Sequence, residues 1–412
     1  MPAELHVSGT TPVVERHSRG TPGFRRVSLA MFSAGLATFT TLYCVQALLP
    51  ALATQFSLSP AAASLAVSVS TAALAIGVIP LTALSEAIGR TPMMTAALFT
   101  SAILGILSAV SPNFAVLLIL RTLQGLALAG LQAVAMTYLA EELHRRSLGF
   151  SMGLFIAGNG FGGMAGRLIA ALVGDVAGWR WALAVVGLVA LACSIVFRLT
   201  VLPSRHFHAR PLHPRVLASA IGRAFTDTGL LRLFAVGVLA MSVQVTVYNY
   251  LGFRLLRAPF GLSASVVGLI FVVYLAGSVS STVAGRLADR FGRPRMLWLA
   301  AVVLLAGVAL LVPDELAVVV AGLVVLTAGF FAVHALASGW VGARSATLGV
   351  QGSAVYLCCY YLGSSVGGSV GGIAFGSAGW PGTTWFIGAL ALVVLAIGVG
   401  LRTLVPARPT AG

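Results

Sequence analysis

The chain is predicted to be an all-α membrane protein, with twelve transmembrane helices in two pseudo-symmetric six-helix bundles. Three observations predict it. Long apolar runs recur along the sequence, its arginines are segregated between alternate connections, and landmarks in the first half return about two hundred residues later. Of its 412 residues 58% are hydrophobic and 8% charged, whereas about a quarter of the residues of a soluble domain are charged. So few charges cannot cover a water-facing surface of this size, so lipid must be the solvent for much of it.

A helical span needs about twenty apolar residues. Spans are expected at 27–52, 61–84, 92–110, 114–140, 149–173, 181–202, 229–251, 264–285, 296–312, 316–339, 352–376 and 384–404. A β-barrel would instead show short segments with period-two alternation. Residues 1–26 are polar, read as a cytoplasmic tail, and expected to be disordered. Residues 27–202 then form the first bundle and 229–404 the second. Between them, 203–228 is a cytoplasmic linker carrying Arg205, His206, His208, Arg210, His213, Arg215 and Arg223, and 405–412 is a C-terminal tail. No cleavable signal is expected, because the first apolar run is too long for a signal-peptide core.

The repeat has three landmarks. Gly89 pairs with Gly292, the glycines at 158, 162, 163 and 166 pair with those at 363, 367, 368 and 371, and Gly178-Trp179 pairs with Gly379-Trp380. The offsets of 203, 205 and 201 residues are nearly constant. Parallel repeats of this kind place a substrate site between the halves near the bilayer midplane.

A net charge of +15 suggests nucleic acid in a soluble protein. Here placement explains it better, and no nucleic-acid partner is expected. Every basic residue is Arg; twenty fall on one side of the predicted topology, Arg180, Arg254 and Arg257 on the other, and Arg121 and Arg167 inside spans. The positive-inside rule then puts both termini in the cytoplasm. The four cysteines lie in predicted spans and form neither a disulfide framework nor a metal-ligand spacing. No metal, cofactor or catalytic residue is expected.

The most polar interruption inside the apolar sequence is Gly285-Arg-Leu-Ala-Asp-Arg-Phe-Gly-Arg-Pro-Arg295. Gly285 is expected to permit close helix approach, Gly292 to support a tight turn, and Asp289 to present an anion beside Arg290 and Arg293. The earlier copy is worn: Thr82 replaces the leading Gly, Glu86 replaces Asp, and Gly89 and Arg90 remain. This segment resembles the signature between the second and third helices of each half in the major facilitator superfamily, and the resemblance covers residues 27–404. It implies the major facilitator fold, a transporter and not an enzyme, working as a monomer by alternating access. Asp289 is then expected to lock the cytoplasmic gate against a helix N-terminus of the opposite half, with Glu86 as a second latch; a charged loop that only sets topology is the alternative.

Two spans extend the resemblance. The fourth carries Leu117-x-x-x-Arg121-x-x-Gln124-Gly125, similar to a family pattern whose Arg is implicated in proton coupling; snorkelling is the alternative for Arg121. The fifth, Gly158-Asn159-Gly160-Phe161-Gly162-Gly163, resembles the glycine signature of the antiporter branch, with Asn159 in place of Pro, and is expected to pack against the opposite half. It also satisfies G-x-G-x-x-G, but no strand precedes it, so a dinucleotide site is excluded. Arg167 is open to three readings: binding an anionic group in the cavity, pairing with Asp175, or snorkelling. His334 stands inside the tenth span and is a candidate proton carrier or a helix-packing residue. Tyr43, Gln46, Gln132, Gln244, Tyr248, Asn249, Tyr356 and Tyr360, with Asn159 and Arg167, stand in spans that line the cavity of the family. Aromatics with a few amides suit an amphiphilic ligand; for each residue alone, helix packing is the alternative.

No Asp or Glu lies within the interior of any predicted span, so proton coupling is implied by the family and not by a titrating carboxylate. The expected function is proton-coupled export of a small organic molecule, drug-like or sugar-like, across the cell inner membrane. An uptake symporter of the same fold and a non-transporting sensor or scaffold are the alternatives.

Overall fold

The computed structural model describes residues 16–205, 207, 214–348 and 351–403. Eleven helices are long and apolar enough to cross a membrane; the last, Gly352–Thr403, holds two spans, because Ala378 and Gly379 depart from helical geometry inside it. Twelve spans result among the described residues: α1 (Pro22–Gln55), α2 (Pro60–Ile88), α3 (Arg90–Ala109), α4 (Phe114–Glu142), α5 (Arg145–Ala177), α6 (Trp179–Thr200), α7 (Thr228–Leu255), α8 (Ala264–Phe291), α9 (Arg293–Leu310), α10 (Leu316–Leu348), α11 (352–377) and α12 (380–400). The face carrying the N-terminal end of α1 and the turn at Asp289 is called the basic face below.

Local chemistry sets the boundaries. Ser59, Asn113, Asp227 and Ser263 cap α2, α4, α7 and α8 by accepting from the backbone N–H three residues on. The short turns between α2 and α3 and between α8 and α9 each hinge on one glycine at positive φ, Gly89 (+97°) and Gly292 (+86°). Two spans are interrupted. The 3₁₀ turn Cys44–Leu48 breaks α1 just before Pro50, and Phe271–Val273 breaks α8.

The glycine stripes pack differently from the sequence expectation. A Cβ on Gly158, Gly162 or Gly166 would strike the backbone of Phe32, Leu36 or Thr40 in α1, so these glycines seat α5 on α1 of its own half, and it is other faces of α5 that meet α8 of the opposite half. Gly363 meets the backbone of Val238, and Gly367 and Gly371 meet Ser242 and Thr246, so α11 seats on α7 in the same way. Without Cβ atoms the helices close to backbone contact, and hydroxyls cross the seam: Thr40 Oγ1 donates to Gly162 O at 3.2 Å, and Thr246 Oγ1 to Gly367 O at 2.9 Å. Gly160 alone of that α5 stripe turns to the other half, where a Cβ would lie 3.1 Å from Ser278 Oγ.

Two further corrections concern the ends. The predicted linker contains an amphipathic helix, Pro214–Ala224; its residues 206 and 208–213 lie outside the described residues, as do tail residues 1–15 and 404–412. The described part of the tail is tethered. His17 N donates to Glu142 O, and His144 N to His17 O, both at 3.1 Å, tying the tail to the α4–α5 turn.

Candidate functional site

The two halves meet in the part of the bundle remote from the basic face. There Gln46 Nε2 of α1 donates to Asn249 Oδ1 of α7 at 2.7 Å, and Tyr43 Oη lies 3.4 Å from Ser364 Oγ of α11. Ser369 Oγ of α11 bonds Ser68 Oγ of α2 at 3.1 Å, and Ser265 Oγ of α8 donates to Asp175 of α5 at 2.6 Å. Among the described residues no hydrogen bond joins the halves nearer the basic face. Among the described residues, the hydrogen bonds that join the halves thus lie toward one end of the seam.

Arg167 stands at this seal, 2% exposed. Its Nε donates to Gln46 Oε1 at 2.7 Å and its Nη1 to Gly163 O at 2.6 Å. Four rings surround the guanidinium carbon, with Tyr274 at 4.5 Å, Tyr43 at 5.0 Å, Phe271 at 5.5 Å and Tyr248 at 5.9 Å. Two of the readings left open by the sequence fall. Asp175 is bonded to Ser265 instead, and a side chain so enclosed does not snorkel. A charged side chain at membrane depth costs about 2.5–3.5 kcal/mol on insertion scales, and no carboxylate among the described residues offsets it here.

Further amides frame the cage. Gln244 Nε2 donates to Tyr274 Oη at 3.3 Å, while Gln244 Oε1 and Asn249 Nδ2 are buried with no partner among the described residues. Tyr248 Oη bonds Thr327 Oγ1 of α10 at 2.6 Å. Tyr274 and Phe271 are not among the residues the sequence predicts for the site; two aromatics in a span otherwise rich in Gly, Ser and Val are the signal it carries for them.

From the cage an aromatic chain continues along the C-terminal half: Tyr274 to Phe331 (5.9 Å between centroids), Phe331 to Phe330 (5.2 Å), Phe330 to His334 (6.2 Å) and His334 to Tyr360 (4.5 Å). His334 Nδ1 lies 3.1 Å from Tyr356 Oη. His334, Tyr356 and Tyr360 thus form one cluster, joined to the cage by other rings. Gln132 is half-buried with an unpartnered Nε2. Asn159 Oδ1 faces Gly35 of α1, so it addresses its own half.

Arg121 is buried within the N-terminal bundle, not at the seam. Its guanidinium donates to Thr41 O (2.9 Å), Leu42 O (2.6 Å) and Ala66 O (3.1 Å), and to Gln124 Oε1. Thr41 and Leu42 lie within three residues of the 3₁₀ turn of α1, so Arg121 serves carbonyls where the regular ladder changes. A cavity of about 10 Å³ beside it has room for one water.

The charged turns have unlike states. Arg90 Nη2 bonds Glu86 at 2.7 Å and Glu141 of α4 at 3.0 Å, and its Nη1 bonds Ser85 Oγ at 2.6 Å. This latch is closed within one half. Asp289 is exposed, and among the described residues its carboxylate has no hydrogen bond or ion pair, so it is disengaged from the opposite half. Arg290 lies over the ring of Phe291 at 5.2 Å, and Arg293 opens α9 directly after Gly292. Gly285 does not mediate the expected close approach: a Cβ there would meet nothing within 4 Å.

A second cavity, of about 530 Å³, is lined by Phe253, Arg254, Arg257, Trp380 and Trp385 among others. All its walls come from the C-terminal half, so it is not a site between the halves.

The sequence matches the family model described as Major Facilitator Superfamily over residues 29–259 and 253–411. The chain belongs to that superfamily. It is 45% identical over 384 residues to the inner membrane transport protein YnfM of Escherichia coli (strain K12), covering 93% of this chain and 92% of that one. To the uncharacterized MFS-type transporter YybF of Bacillus subtilis (strain 168) it is 39% identical, covering 92% and 93%. Its structure is similar to a crystal structure of a bacterial homologue of the human lysosomal transporter Spinster, in the inward-facing and occupied conformation. The TM-score is 0.77 over 95% of this chain and 100% of that one, at 16% sequence identity, a likeness of fold alone. As a member of the major facilitator superfamily, the chain is a multi-pass membrane transporter for a small-molecule substrate.

Proposed function

We propose that this transporter is a proton-coupled exporter of a small organic molecule, drug-like or sugar-like, in the cell inner membrane with both termini cytoplasmic. The observation that carries the reading is the asymmetric seam: side chains of both halves converge and hydrogen-bond across it at the far end, while Asp289 at the basic face is exposed and has no partner among the described residues. A substrate entering from the cytoplasm would travel along the aromatic wall to the Arg167 cage. Closure of Asp289 against the opposite half, with opening of the far seal, would then release it outside. The glycine stripe of α5 supports export through its likeness to the antiporter signature. His334, bonded to Tyr356 on the path, is the proposed proton carrier, with Arg121 coupling indirectly through α1.

The test is the sign of transport in intact cells. Cells making the protein are loaded with a panel of amphiphilic drugs and sugars. Export predicts a lower steady content of at least one compound, restored by a protonophore. Protein-dependent accumulation would replace this reading with an uptake symporter.

A further inference from the structure

We infer that the Arg167 cage is the anion subsite of this transporter and that the substrate is an organic monocarboxylate with a flat apolar body. The inference rests on the transport reading above, but not on its direction. Arg167 is 2% exposed and, among the described residues, has amide and carbonyl partners but no carboxylate. Asp175 is eight residues further along α5, about 12 Å by helical rise, and is already held by Ser265. A charge at that depth pairs with another charge or with backbone carbonyls and marks a substrate path; Gly163 O and Gln46 occupy part of this guanidinium, and the substrate would supply the counter-charge.

The site also limits the kind of anion. Arg121 is turned into the N-terminal bundle and occupied by carbonyls, so one cation faces the ligand. A phosphate dianion would keep an unpaired charge in a dry site, whereas a carboxylate matches a guanidinium edge in charge and planarity. Tyr43, Tyr248, Phe271 and Tyr274 offer ring faces for a flat body. Gln244 Oε1 and Asn249 Nδ2, buried with no partner among the described residues, leave one acceptor and one donor beside the cage.

The backbone points the same way. Gln46 lies in the 3₁₀ turn of α1, while Phe271 and Tyr274 begin and follow the 3₁₀ break of α8. Irregular backbone at membrane depth is tolerated where it is buried in protein or lines a cavity. Both elements that close the cage thus change helical geometry at or beside residues touching Arg167.

The test is equilibrium binding to the full-length protein in detergent, by calorimetry and thermal shift at pH 7.5. The probes are benzoate, cinnamate and octanoate, with benzamide as the neutral isostere and phenyl phosphate as the dianion. At least one monocarboxylate is expected to bind, with benzamide and phenyl phosphate at least 10-fold weaker. R167Q should lose the carboxylate by roughly 10–100-fold, the span of a charge-assisted hydrogen-bonded pair, and R167K should restore part of it. Size exclusion of each variant separates lost binding from lost fold. The inference is overturned if no monocarboxylate binds, if benzamide binds equally, or if monodisperse R167Q and R167K bind like the parent. Carboxylate binding together with uptake by intact cells would sink export and leave this subsite standing; export of neutral compounds without carboxylate binding would do the reverse.

Discussion

Gln46 and Asn249 join the first helix of one half to the first helix of the other through a 2.7 Å amide–amide hydrogen bond, and the same Gln46 accepts from Arg167 through its oxygen. One side chain thus couples the far seal to the buried charge. Asn249→Ala should remove the bridge and leave Gln46 Nε2 unpaired, while Gln46→Ala removes both bonds. The two effects on apparent melting temperature should be non-additive, with a coupling on the order of 0.5–3 kcal/mol. Additive losses in the double mutant would mean that the residues act independently.

Ser68 and Ser369 lie across the same seal with oxygens 3.1 Å apart. In a background lacking Cys44, Cys193, Cys358 and Cys359, the pair Ser68→Cys and Ser369→Cys should cross-link under mild oxidant. Transport should stop in the cross-linked protein and return with reductant. Full transport by the cross-linked species would show that the seal does not open.

Asp289 contributes nothing measurable to the fold in this state, being exposed and unpartnered among the described residues. Asp289→Asn should keep the parent melting temperature within about 0.5 kcal/mol equivalent while transport falls at least ~10-fold, the value of about 1.4 kcal/mol of lost latch energy. Parallel loss of stability and activity would assign Asp289 to folding.

Asp227 caps α7 and receives Arg344 of α10 at 2.6 and 2.7 Å. The Arg344 guanidinium holds its carboxyl below the usual carboxylate range. Because the folded pKa is depressed, the pair stabilises above the unfolded value near 3.9, and that contribution fades as pH falls through the lower folded value. Asp227→Asn should therefore cost about 1–3 kcal/mol at pH 7 and progressively less below pH 4. Equal destabilisation at pH 7 and pH 3 would contradict it.

Glycines that look alike in the sequence should respond differently. Gly162→Val is expected to block insertion or assembly, since its Cβ would enter the α1 backbone at Leu36. Gly285→Ala faces open space and should be neutral or stabilising by up to ~1 kcal/mol. Expression and monodispersity read both outcomes.

The span count, the repeat and the positive-φ turns at Gly89 and Gly292 were legible because hydropathy, offset and turn chemistry act locally. The destination of the glycine stripe was not: Gly158, Gly162 and Gly166 announce close contact without naming the partner, which proved to be α1. Arg121 and Arg167 were recognisable as costly, but only three dimensions separate the carbonyl-bound Arg121 from the caged Arg167. Tyr274 and Phe271 were missed because an aromatic in an apolar span carries no sign of which way it faces.

The most direct test of proton-coupled export uses everted vesicles holding an acid interior, monitored with a fluorescent pH-gradient probe and challenged with the carboxylates, drugs and sugars above. The account predicts that at least one compound dissipates the gradient with the parent protein and fails to do so with Asp289→Asn. Protein-dependent movement of a compound that leaves the gradient untouched, and proceeds equally without it, would contradict proton-coupled export.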